Sequence, residues 1–132
     1  MFTKFRVPMA LCMALSVLPI SARADALATC NIASTSVNGK TPITVDKSTI
    51  LYSSRCSKSG NVVTLKYMFR LNFQVGTVSQ AGLESLRPRM LNHWCTNPDT
   101  RPLIKIMDIE GIYSYSDGQY IGNLLLHGYE CQ

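Results

Sequence analysis

The chain has 132 residues, 46% hydrophobic and 16% charged, with a formal net charge of +5. That length accommodates one domain and excludes a multidomain enzyme. The charge is too low and the apolar content too high for a disordered chain, and the longest apolar stretch is too short to span a bilayer.

Met1–Arg6 carries Lys4 and Arg6, Val7–Ile20 is apolar, and Ser21-Ala22-Arg23-Ala24 closes with an Ala-x-Ala site. This layout predicts a secretory signal peptide over 1–24 and a single exported domain over 25–132, with cleavage after Ala26 as the near alternative. Pro8 and Pro19 argue against a buried N-terminal helix. Leu27-Ala28-Thr29-Cys30 has the outline of a lipobox. Thr29 is unusual before an acylated cysteine, and the apolar run ends at Ile20, well upstream. The expectation is a periplasmic protein without lipid on Cys30 and without a transmembrane segment in its mature part.

Lys4, Arg6 and Arg23 leave with the signal, so 10 Lys+Arg then face 8 Asp+Glu and the net charge falls to +2. The remaining cations are spread singly, with no basic and aromatic interleaving, which excludes a nucleic-acid groove.

Residues 25–42 are mixed, with Asn38-Gly39 as a turn signal and Pro42 closing the segment. Thr49–Arg55 and Val62–Phe73 are rich in β-branched and aromatic residues, and Ser57–Asn61 between them reads as a turn. Val63, Leu65, Tyr67, Phe69 and Leu71 alternate with Thr64, Lys66, Met68 and Arg70, the pattern of a half-buried antiparallel strand. From Ser79 to Cys95 the period changes. Leu83, Leu86, Met90, Leu91 and Trp94 form one helical stripe, with Arg87 intruding and Pro88 expected to kink or restart the helix. Asn97-Pro98-Asp99 predicts a second, short helix with Asn97 as N-cap, interrupted by Pro102. Strand character returns from Ile109. Asp117-Gly118 predicts a hairpin that pairs Ser116 with Gln119, Tyr115 with Tyr120 and Tyr113 with Gly122, and the last strand ends in Cys131. The ββ–αα–ββ order predicts an α+β fold, a four-stranded antiparallel sheet with helices packed on one face.

Four cysteines remain after export, Cys30, Cys56, Cys95 and Cys131. In an oxidising compartment they imply up to two disulfides, with three connectivities open. No C-x-x-C spacing occurs and His93 and His127 form no ligand pair, so no metal or other cofactor is expected.

The runs Trp94–Leu103, Ile112–Tyr115 and Asp117–Gly122, with a cysteine at 131, resemble small exported bacterial proteins. The layout, with a cysteine ending a helix and another at the last strand, is similar to the secretin pilotins of type II secretion systems in Vibrio-like bacteria. The resemblance covers about residues 43–131. It implies a fold of this α+β kind. It also implies a role as a lipoprotein that binds the C-terminal segment of a secretin subunit and carries it to the outer membrane.

A helix lying over the final hairpin would bring Cys95 to Cys131, leaving Cys30 to pair with Cys56. A catalytic reading would use Asp99 and Arg101, or His93 beside Cys95. The first two read as a helix-capping acid and a surface cation. Neighbours on a helix point about 100° apart, so His93 and Cys95 do not meet. The expectation is no enzyme. Tyr113, Tyr115 and Tyr120 are the candidate partner-binding residues, near an apolar groove between the helix and the final hairpin. The partner class is a protein or peptide of the cell envelope. The function expected is a pilotin-like assembly factor. An inhibitor or immunity protein that blocks a toxin or hydrolase is the alternative.

Overall fold

A computed structural model describes residues 18–131, with side chains described from residue 26 onward. The expected signal sequence lies outside the described residues up to residue 17, and residues 18–24 run on as the first turns of a helix. Helix α1 (Leu18–Asn38) leads into β1 (Ile43–Asp46), β2 (Thr49–Ser59) and β3 (Val62–Leu71). Helices α2 (Gln80–Glu84), α3 (Arg87–Thr96) and α4 (Arg101–Ile104) follow, then β4 (Asp108–Tyr115), β5 (Tyr120–Leu126) and a 3-10 turn (Gly128–Glu130).

The fold is α+β, as expected, but the sheet has five strands in the order β1-β2-β3-β4-β5 rather than four. It is also mixed: β3 and β4 run parallel, Leu65 beside Ile109 and Phe69 beside Tyr113, while the other pairs are antiparallel. The cause is the connection. The chain between Leu71 and Asp108 carries three helices and returns to the end where β3 began, and a crossover of that kind delivers a parallel neighbour. The additional strand, β1, is short and follows Pro42, which hides it from a period-two search.

The alternation in β3 does what its period dictates. Val63, Leu65, Phe69 and Leu71 are buried on the inner face, while Arg70 is exposed on the outer one. The four helices among the described residues pack against that inner face. Cys30 of α1, Leu83 of α2, Trp94 of α3 and Ile104 of α4 join Leu65, Ile109, Leu124 and Leu126 in one core.

The segment read as mixed from residue 25 is helical as far as Asn38. Ala26, Cys30 and Ser34 are its buried residues, spaced one turn apart, and all three are small. Small side chains let the helix approach β2 closely, but they carry little apolar signal. Disulfides join Cys30 to Cys56 and Cys95 to Cys131. The first ties α1 to β2, and the second ties the end of α3 to the C-terminal segment.

The stripe from Ser79 to Cys95 is two helices. Ser79 caps α2, its hydroxyl accepting from the Gly82 N–H at 3.1 Å. The helix breaks at Ser85-Leu86, and Pro88 sits in the first turn of α3, where its missing N–H is not needed. Asn97 does not cap a helix. Its Oδ1 accepts from the Asp99 N–H at 2.8 Å in a turn, and α4 starts later, with Pro102 in its first turn rather than interrupting it. The final strand stops at Leu126, and the 3-10 turn carries the chain to Cys131. In the last hairpin Tyr113 faces Gly122, but a bulge sets Tyr120 opposite Ser114 instead of Tyr115.

On β2 beyond β1 and on β5, an amide side chain occupies the backbone groups of one edge residue. Beyond β1, the Ser54 N–H donates to Asn38 Oδ1 at 2.7 Å while Asn38 Nδ2 donates to the Ser54 carbonyl at 2.9 Å. On β5, the Asn123 N–H donates to Gln80 Oε1 at 3.0 Å while Gln80 Nε2 donates to the Asn123 carbonyl at 2.7 Å. Arg87 Nη1 adds a 2.6 Å bond to the Leu125 carbonyl. Arg87 interrupted the apolar stripe because it belongs to this edge, held between Glu84 and Glu130.

Candidate functional site

An apolar groove of about 700 Å³ opens on the helical side of the sheet. Its floor is the end of β3 with β4: Phe69 and Tyr113, stacked with ring centres 5.0 Å apart, and Leu71. One wall is helical, built from Leu83, Leu86, Met90 and Trp94. The facing wall is Val45 on β1, Thr49 on β2 and Phe73 just beyond β3. Val45 is 54% exposed and Phe73 49%, so apolar surface reaches the mouth.

The helical wall follows from period. Leu86, Met90 and Trp94 are four residues apart and fall on one face of α3. Trp94 rests on Tyr67, with ring centres 5.7 Å apart, and Tyr67 meets Phe69 edge to face at 6.2 Å. The Tyr113 hydroxyl donates to Met90 Sδ at 3.3 Å, which joins floor to wall. Burial pushes the Tyr113 and Tyr67 phenols up to about 12, so both are neutral throughout the physiological range.

Of the three candidate tyrosines, Tyr113 lines the groove and the other two do not. Tyr115 is buried beneath the loop that follows β3. Its oxygen accepts from the N–H of Gly76 at 2.9 Å and of Val78 at 3.0 Å, and its hydroxyl donates to the Val78 carbonyl at 3.1 Å. It therefore shapes the groove indirectly, because Thr77 and Val78 line one end. Tyr120 is 61% exposed at the start of β5 and lies outside the groove. The groove runs between the helices and the β1–β3 side of the sheet, and of the final hairpin only Tyr113 lines it.

His93 and Arg89 stand at the groove mouth on α3, while Asp99 and Arg101 are exposed beyond that helix. His127 is elsewhere, its Nδ1 3.0 Å from Asp108 Oδ2. Cys95 is held in its disulfide and is no thiolate beside His93. The groove residues that sequence reasoning missed are Val45, Phe73 and Phe69. Period two puts Phe69 on the buried face of its strand, but nothing local distinguishes a buried aromatic from one that floors an open groove.

No helix among the described residues is long and apolar enough to cross a membrane. No family model matches the chain, and no curated protein sequence matches it. Solved structures do. The type II secretion pilotin EpsS of Vibrio vulnificus superposes with a TM-score of 0.65 at 15% identity, covering 85% of this chain and 96% of that one. A protein of Pseudomonas aeruginosa described as secreted gives 0.67 at 12% identity, with 84% and 96% covered. The type II secretion pilotin AspS of Vibrio cholerae gives 0.62 at 13% identity, with 85% and 97% covered. The chain thus has the fold of these pilotins, matched over nearly the full length of each.

Proposed function

We propose that this chain is a pilotin-like assembly factor. It holds an amphipathic helical segment of an envelope secretion partner, of the secretin class, in the groove beside α3. The observation that carries the reading is the groove itself. It is walled by apolar side chains and floored by stacked aromatic rings, in a chain with the pilotin fold. A helix laid in such a trough buries one stripe at i, i+3, i+4 and i+7 and keeps its polar face in water. In this reading the protein works by binding, with the neutral phenol of Tyr113 and the ring of Trp94 as contact surface. No specific observation favours an inhibitor role.

The protein acts in the periplasm, after loss of residues 1–24. Cys30 is without exposure inside α1 and is bonded to Cys56, which supports an unlipidated chain. Intact mass of the envelope form is expected to match a start at Asp25 or Leu27 with two disulfides. A diacylglyceryl adduct on an N-terminal Cys30 overturns that part of the proposal.

The binding role is tested by purifying the exported chain from envelope extract and identifying what accompanies it by mass spectrometry. A secretin subunit is expected with the native chain and is lost with Phe73→Asp. That variant places a charge at the mouth on a half-exposed apolar residue and leaves the core intact. Absence of a secretin, or its retention by Phe73→Asp, sinks the reading.

A further inference from the structure

The groove mouth is electrically polarised. On the α3 side, Arg89 projects one position before the Met90 that lines the wall, and it is exposed. His93, one turn on, stands beside it. On the opposite lip Asp46 is the only charged lining residue among the described residues, exposed at the end of β1, with its Oδ1 accepting from the Ser48 N–H at 2.8 Å. Neither Arg89 nor Asp46 has an ion-pair partner among the described residues, whereas Arg87, two residues from Arg89, is paired to both Glu84 and Glu130. The mouth thus offers one unpaired cation and one unpaired carboxylate, on opposite sides of an apolar trough.

We infer that the groove selects a helix with opposite charges on its two flanks: an acidic residue beside the apolar stripe on the side facing α3, and a basic residue on the side facing β1. This rests on the groove being the binding site, as proposed above, and adds the chemistry of the occupant and its direction. A helix turned end for end exchanges its flanks, so the two charges fix which way the segment runs. Rim charges of this kind contribute to selectivity and orientation more than to total affinity.

The test uses three synthetic peptides with one shared apolar stripe. Their flanks are Glu on one side and Lys on the other, Glu on both, or Lys on both. Trp94 is the only tryptophan and forms part of the wall, so its emission reports occupancy directly. The mixed peptide is expected to bind the exported domain about two- to fivefold more tightly than either uniform one, with the preference shrinking as salt is raised. In Arg89→Glu both lips are acidic, and the Lys peptide becomes the tightest of the three. In Asp46→Asn, which keeps the oxygen acceptor for Ser48, the Glu peptide rises to match the mixed one. Equal binding of all three peptides to the native chain overturns the polarity while leaving the groove as the site. If no peptide changes Trp94 emission, the groove itself is not the site.

Discussion

Tyr113 lies flat because Gly111 makes room for its ring, while Gly122 makes room for Gln80 and Leu83. An ideal Cβ on Gly111 would stand 2.9 Å from Tyr113 Cε1, closer than real contacts allow. Across the hairpin, Tyr113 faces Gly122, where a Cβ would run into Gln80 Oε1. Gly111→Ala is therefore expected to tip the Tyr113 ring off Phe69 and into the groove, at a cost of about 1–3 kcal/mol of stability from overpacking. Thermal unfolding reads the cost, and loss of peptide-induced change in Trp94 emission reads the lifted floor. Tyr115 carries a different load. Removing its hydroxyl in Tyr115→Phe leaves two N–H groups and a carbonyl of the loop over β4 without their partner, an expected loss of about 1–3 kcal/mol. Urea unfolding with an unchanged m-value would confirm a native-state effect. An unchanged midpoint would mean that water replaces the phenol at no cost.

At the scale of elements, the amide contacts on the edge residues and the staple on α1 limit edge pairing and hold the helix to the sheet. An open strand edge is a template for pairing with another chain. Here Asn38 and Gln80 each occupy both hydrogen-bonding groups of an edge residue, in the manner of a strand one residue long. The double variant Asn38→Ala/Gln80→Ala is expected to self-associate with rising concentration, which sedimentation or light scattering detects. A strictly monomeric variant would show that the rest of each edge is protection enough. Helix α1 is held by small residues, by the Ser34–Ser54 hydroxyl pair at 2.8 Å and by the Cys30–Cys56 bond. Closing a loop of 26 residues contributes about 3–4 kcal/mol by loop entropy. The variant Cys30→Ser/Cys56→Ser is therefore expected to lose that amount. Amide exchange should rise first in α1 and only later in the sheet. Uniform exchange throughout would show that α1 and the sheet unfold as one unit.

For the molecule as a whole, the buried phenols set an alkaline limit on stability. Tyr67 and Tyr113 have pKa values raised to about 12, against 10.0 for the free side chain, and burial is the cause. A raised folded value favours the neutral form. The stabilisation is complete below pH 10 and is lost as pH climbs toward 12, by about 2 kcal/mol for each tyrosine at the upper end. Absorbance at alkaline pH should show a late-ionising class of tyrosines, coincident with the fall in unfolding midpoint. If all tyrosines ionise together near pH 10 while the protein stays folded, the phenols are not buried in solution.

What local chemistry alone determines in this protein is considerable. Period two in β3, the 3.6-residue stripe through Trp94, the Asp117-Gly118 turn and the restart at Pro88 are each dictated by neighbours a few residues away, and each is legible for that reason. The resemblance carried by Trp94–Leu103 and the residues after it pointed to the pilotin fold. Helix α1 was not legible, because Ala26, Cys30 and Ser34 are small and carry almost no apolar contrast. The parallel pairing of β3 with β4 was not legible either. It depends on where a crossover of three helices delivers the chain, and no residue in either strand encodes that. The groove is the clearest case. Val45, Phe73, Phe69 and Met90 are ordinary apolar residues in their own segments, and Tyr115 and Tyr120 look as suited to binding as Tyr113. Only the tertiary arrangement leaves a gap between α3 and β1, buries Tyr115 under its loop and sends Tyr120 to the far end of a bulge. A binding surface is made of what folding fails to cover, and that is a property of the packed whole.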